Sequence, residues 1–164
     1  MAIFAELLAE PVPPLAISFF QVFSRFECAL KRSGTYAIGD DFGVNPDWDK
    51  FARDLGPKFL ADVIASGAAP VLIEKPPKKQ VKLRDNSLGW RDMGSVESTA
   101  DLLLAVRRAR NNLIHGGKYR DNGYGRASMV EGSERDETLL NESLNVLAMA
   151  LERNQLVYEH FGRV

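Results

Sequence analysis

Positions 107 to 118 read Arg-Arg-Ala-Arg-Asn-Asn-Leu-Ile-His-Gly-Gly-Lys, the densest gathering of groups able to do chemistry in the chain. Histidine titrates near neutrality and can both take and give a proton. Arginine is permanently charged and grips phosphate through two parallel hydrogen bonds. Together they suit a reaction in which the 2′-hydroxyl of RNA attacks the adjacent phosphate, because the substrate supplies the nucleophile and the protein needs only to move a proton and hold charge. His115 is thus the candidate general base or acid, and Arg110 the candidate phosphate clamp, with Asn111 beside it. Other chemistries find little support. No Cys/His cluster has metal-ligand spacing, no glycine-rich loop joins a strand to a helix, and no nucleophile elbow occurs. With two histidines in the chain, neither a metal nor a cofactor is expected.

The spacing carries a geometric demand. At about 100° per residue, Asn111 and His115 stand one turn apart on one helix face, where the amide can orient the imidazole. Arg107 and Arg108 lie near that face as candidate RNA contacts, and Lys118 and Tyr119 follow in the next loop. Arg110, however, is about 140° around the axis from His115. The two converge if the arginine wraps round, if the helix unwinds at Gly116, or if a two-fold axis brings Arg110 of one subunit to His115 of another. The third route predicts a homodimer with a composite cleft.

The elements that position these residues are predominantly helical by periodicity. Leu15 to Arg32 places Leu15, Phe19, Val22, Phe23, Phe26 and Leu30 three and four apart, and Ser33-Gly34 stops it. A second helix runs from near Pro46 to about Ser66 with Phe51, Leu55, Phe59, Leu60, Val63 and Ile64 inward, and Pro57 predicts a kink within it. Gly39 to Val44 reads as a polar connection. Gly67 to Gly94 reads as a long excursion holding Pro70, Pro76, Pro77 and the basic group Lys75, Lys78, Lys79, Lys82 and Arg84. Within it, Val71-Leu72-Ile73 and Val81-Lys82-Leu83 are candidates to pair as a hairpin, and the basic group is either an RNA-contacting arm or a solvated loop. A third helix begins at Ser95 or Ser98, where Ser98 and Asp101 have the form of a capping box, and ends at Gly116-Gly117. After a polar loop, Lys118 to Ser133, a final helix from Glu134 to His160 turns Leu140, Leu144, Leu147, Leu151 and Val157 to the core. The prediction is one all-α domain over residues 1–164, a four- to five-helix bundle with a long Pro/Lys-containing loop between helices 2 and 3.

Composition bounds the rest. With 164 residues and 45% hydrophobic content the chain can bury one core, and a formal charge of -1 leaves any polyanion site to a local basic patch. Met1 to Glu10 has no basic leader, and no apolar run approaches 18 residues, so neither an export signal nor a spanning helix is expected. The single cysteine, Cys28, cannot form an internal disulfide, which fits a reducing cytoplasm, and reads as a small buried apolar residue.

The run Arg-Asn-x-x-x-His followed by Gly-Gly-Lys resembles the signature of the HEPN superfamily, an arginine and a histidine separated by four to six residues with a polar residue after the arginine. Phe23-Ser24-Arg25-Phe26-Glu27-Cys28-Ala29-Leu30-Lys31 looks like the first-helix segment of one bacterial and plasmid-borne branch of it. The two patches cover about 20 residues. The resemblance implies a helical bundle, a two-fold dimer with facing motifs, and metal-independent RNA cleavage in active members. It also implies a toxin or defence role, with an antitoxin such as a small nucleotidyltransferase as partner. Arg153-Asn154 with His160 satisfies the loose pattern too, but lacks the glycine pair and the neighbouring basic residues. Three alternatives stand beside this reading: a non-catalytic HEPN module binding RNA, nucleotides or a partner; a helical adaptor in which Arg110 and His115 serve as helix caps; and, for Glu27, a surface pair with Lys31 in place of a supporting role at Arg110 or His115.

Overall fold

Pro14 opens the first helix, α1 (Pro14–Arg32), where its missing N–H is no loss and its φ is already helical. The computed structural model describes residues 12–114, 120–121, 127–128 and 134–163. α1 buries Phe19, Phe23, Phe26 and Leu30 on one stripe. Cys28 is half-buried, not fully buried as expected, because it stands half a turn around the axis from Phe19.

The connection after α1 is not the irregular one predicted. Ala37–Asp40 (β1) and Gly43–Pro46 (β2) pair antiparallel, with Ile38 opposite Asn45. The Asp40 carboxylate accepts from the Phe42 N–H at 2.9 Å to set the turn. A Cβ on Gly39 would lie 2.0 Å from the Gly43 carbonyl oxygen, so only glycine fits that close approach. The Asp47 N–H then donates to the Tyr36 carbonyl at 2.8 Å and returns the chain to the bundle.

α2 (Trp48–Ser66) is capped by Asp47, whose side chain accepts from the Lys50 N–H at 2.9 Å. Gly56 interrupts it with φ 70° and ψ 177°, immediately before Pro57, so two helical halves meet at a kink. The Gly56 carbonyl freed by the break accepts from Thr99 Oγ1 at 2.7 Å. Phe51, Phe59, Leu60 and Val63 are buried, but Ile64 is exposed, about 140° around the axis from Phe59.

Val71-Leu72-Ile73, predicted as a candidate strand, lies in the short helix α3 (Pro70–Glu74). Pro70 starts it, and the Glu142 carboxyl, from the far side of the sequence, accepts from the Val71 and Leu72 N–H groups at 3.2 and 2.6 Å. The excursion does hold a hairpin, formed by Lys79–Lys82 (β3) with Leu88–Arg91 (β4). α4 (Thr99–Ile114) begins on the predicted capping box, with the Asp101 N–H donating to Ser98 Oγ at 3.1 Å and that hydroxyl donating to the Asp101 carboxylate at 2.7 Å. Its predicted end at Gly116-Gly117 lies outside the described residues. Within the predicted polar loop, Arg120–Asp121 (β5) pairs with Ala127–Ser128 (β6). The single final helix expected is instead two, α5 (Glu134–Arg153) and α6 (Gln155–Gly162), because Asn154 leaves the helical region and caps α6, accepting from the Val157 N–H at 3.0 Å.

The all-α four- to five-helix expectation is therefore corrected. The fold is mostly helical but mixed α/β, with six helices and three two-stranded antiparallel ladders among the described residues. One hydrophobic cluster joins α1 through α6, and Phe19, Phe23, Phe26, Phe51 and Phe59 are its largest fully buried side chains. Each such burial is worth about 2–3 kcal/mol, whereas solvent-screened pairs such as Lys50–Asp54 and Lys58–Asp62 contribute little. Aromatic packing decides the fold. No helix among the described residues is long and apolar enough to cross a membrane.

Glu142 is buried and holds two otherwise orphaned donors. Glu142→Ala is expected to lower unfolding free energy by about 3 kcal/mol, and Glu142→Gln, which keeps an acceptor, by about half of that. Urea denaturation checks both; a loss below about 1 kcal/mol for the alanine variant would show that α3 holds without this cap.

Candidate functional site

The last turns of α4 place Arg107, Arg110 and Asn111 on one face, since steps of three and four residues return to nearly the same direction. Opposite them stand Glu27 of α1, Trp48 at the start of α2, and Asn45 and Pro46 at the end of β2. These seven residues line a cleft of about 350 Å³, open to solvent. Arg108 is not among them, because it points about 160° away from Arg110 around the axis. It is half-buried, and that burial pushes its guanidinium below the ordinary arginine pKa, with the Asp101 charge opposing the shift.

Arg110 is the most constrained cation of the cleft. It donates to Glu27 Oε2 at 3.1 Å and to Asn111 Oδ1 at 2.9 Å, and its guanidinium carbon lies 4.9 Å from the centre of the Phe23 ring. With both side chains about a quarter exposed, the ion pair is worth at most about 1 kcal/mol in stability. Its larger effect is orientation. Bonds to described residues use two of the five N–H donors of Arg110.

Glu27 serves two partners. Its other carboxylate oxygen accepts from Trp48 Nε1 at 3.2 Å, and Trp48 is stacked on Phe26 at 5.4 Å and on Phe23 at 5.6 Å. Glu27 thus lines the cleft and pairs there with Arg110. Arg107 lies over the same indole, 5.9 Å from its centre. Two guanidiniums against one carboxylate leave the lining with a net positive charge, which suits a phosphodiester.

Of the residues singled out from sequence, Arg107, Arg110, Asn111 and Glu27 come together, and Arg108 stays apart. His115, Lys118 and Tyr119 lie outside the described residues. Asn45, Pro46 and Trp48 were missed. Trp48 carries a readable signal, a large amphipathic ring placed directly after the N-cap Asp47, because a buried indole N–H needs an acceptor. Asn45 carries none, since its place depends on the β1–β2 pairing. No family model, no curated protein and no solved structure matches the chain.

Glu27→Ala would leave the Trp48 N–H without its acceptor and Arg110 without its counter-charge, for an expected loss of about 1–2 kcal/mol in thermal unfolding. Glu27→Gln keeps an acceptor and should lose about half as much. Equal losses in the two variants would mean that the indole bond contributes nothing.

Proposed function

We propose that this chain is a metal-independent endoribonuclease of the HEPN type, acting in the cytoplasm as a homodimer. The observation that carries the reading is the convergence of Arg110, Asn111 and Arg107 in one solvent-open, net-positive cleft, on the helix that leads directly to His115. In the reaction, His115 takes the proton from the ribose 2′-hydroxyl, the 2′-oxygen bonds to phosphorus, and the bond from phosphorus to the 5′-oxygen breaks. The departing oxygen is protonated by an imidazolium or by water. Arg110 holds the phosphoryl oxygens through the phosphorane-like state, Arg107 adds charge, and Asn111 orients the imidazole. The products are a 2′,3′-cyclic phosphate and a 5′-hydroxyl. Lys118 and Tyr119, just beyond His115, and Arg108, outside the cleft, are assigned to flanking RNA.

The homodimer finds support in α1. Phe20 is exposed about 20° around that helix from Glu27, and Ile17, also exposed, lies just under one turn before it, so apolar surface borders the approach to the cleft. A second copy covering it would bring two clefts near one axis. A toxin or defence role, with a neutralising antitoxin such as a small nucleotidyltransferase, extends the same proposal. The engagement of Arg110 by Glu27 favours a second reading, a non-catalytic RNA- or partner-binding module, because the cation is already partly neutralised.

With EDTA present, the wild type is expected to cut a generic single-stranded RNA and leave cyclic-phosphate ends. His115→Ala and Arg110→Ala should each lower kcat by about a hundredfold or more, and Arg110→Lys should not restore it. A His115→Ala variant as active as the wild type would overturn the enzyme reading, while RNA binding without any cleavage would establish the module. Sedimentation should give a dimer; a monomer at every accessible concentration would remove the composite site.

A further inference from the structure

A second concentration of positive charge lies outside the cleft lining. From residue 75 to 91 the chain carries Lys75, Lys78, Lys79, Lys82, Arg84 and Arg91 against Asp85 alone, in a protein of net charge -1. The β3–β4 hairpin turns this run into a surface. Lys79 stands directly opposite Arg91 on one face, and on the other Gln80 pairs with Trp90 and Lys82 with Leu88. Like charges directly opposite each other weaken a strand pair, so an anion between Lys79 and Arg91 would relieve a cost built into the register.

Trp90 and Leu88 are exposed on the face they share with Lys82, and Trp90 stands diagonally across from that lysine. Lysine on an edge strand also discourages aggregation, but that role does not explain an exposed tryptophan beside it. The other face is closed at its tip, where the Leu83 side chain sits where a Cβ on Gly89 would be. The base of the hairpin is fixed to the body beside the cleft. Asn112 Nδ2 donates to the Lys78 carbonyl at 3.0 Å, one residue after the cleft-lining Asn111, and Arg135 donates to the Lys75 carbonyl at 2.9 Å. Lys78 also pairs with Asp92 across the base at 3.2 Å.

We propose that the β3–β4 hairpin is a single-stranded RNA-binding arm, in which Trp90 stacks a base and Lys82 meets a phosphate on one face, while Lys79 and Arg91 on the opposite face take further phosphates where the strand passes over the edge of the ribbon. Cationic groups interleaved with an exposed aromatic ring are what sequence-tolerant single-strand binding requires. An acidic protein partner would use the cations and have less need of the ring. The attachment through Asn112 places a strand held by the arm next to the end of α4. The proposal goes beyond the cleavage reading and does not depend on it.

The test uses the full chain and a labelled 12-nucleotide RNA that is 2′-O-methylated throughout, so that it cannot be cleaved by 2′-hydroxyl attack. The triple variant Lys79→Ala, Lys82→Ala, Arg91→Ala is expected to bind at least tenfold more weakly at moderate salt. Its slope of log affinity against log salt should be shallower by about 2, near 0.7 for each lost phosphate contact. Trp90→Ala should lose roughly fivefold or more, with Trp90→Phe recovering part of it. Cleavage of a dinucleotide, too short to span cleft and arm, should be unchanged in all of these variants relative to wild type, whatever its absolute rate. Wild-type affinity and salt slope in the triple variant would overturn the arm. So would a wild type that ignores the RNA but binds a poly-glutamate peptide, or arm variants that fall in the dinucleotide assay or in circular dichroism as far as in binding.

Discussion

A buried indole that must satisfy its N–H links the interior of this protein to its cleft. Trp48 lies against Phe26 and Phe23 and is almost wholly buried, so its ring belongs to the aromatic core. Its Nε1 finds an acceptor in Glu27, and the same carboxylate holds Arg110. Core packing thus fixes an acceptor, the acceptor fixes a cation, and the cation inherits the rigidity of the stack. The energies are ordered accordingly. Burial of the aromatic rings supplies several kcal/mol, while the ion pair supplies at most about 1 and determines direction more than stability.

The helices were legible where a single face had to be buried. Phe19, Phe23, Phe26 and Leu30 mark α1 by spacing alone, and the kink at Gly56-Pro57 follows from proline's lost donor. The capping box of α4 was readable for the same local reason. What escaped was set by partners distant in sequence. Val71-Leu72-Ile73 has strand-like composition, yet Glu142, about seventy residues later, satisfies the N–H groups of a helix there. The strands of both larger hairpins are four residues long and expose most of their side chains, so they show no clean alternation to detect. Asn154 broke the last helix through a cap that its residue type permits, but the apolar pattern runs on across it.

The cleft was legible to the extent that it is carried by one helix. Arg107, Arg110 and Asn111 follow from the period of α4, and Glu27 from the first-helix patch. Arg108 shares the direction of His115 by helical period but lies about 160° around the axis from Arg110, outside the cleft lining. The opposite wall, Asn45, Pro46 and Trp48, comes from a hairpin and a helix start whose juxtaposition with α4 is purely tertiary. His115 falls outside the described residues, so the histidine half of the motif stands as the sequence presents it.

The bonds at the two ends of α4 carry one more consequence. Near its start Thr99 reaches the Gly56 carbonyl exposed by the break in α2, and near its end Asn112 reaches the Lys78 carbonyl. A cylinder pinned near each end by a side chain to a separate neighbour cannot roll about its long axis without breaking one pin. The azimuth at which α4 presents its cations is therefore set by a glycine-proline irregularity on one side and the lysine-rich approach to a hairpin on the other, neither of which belongs to the cleft.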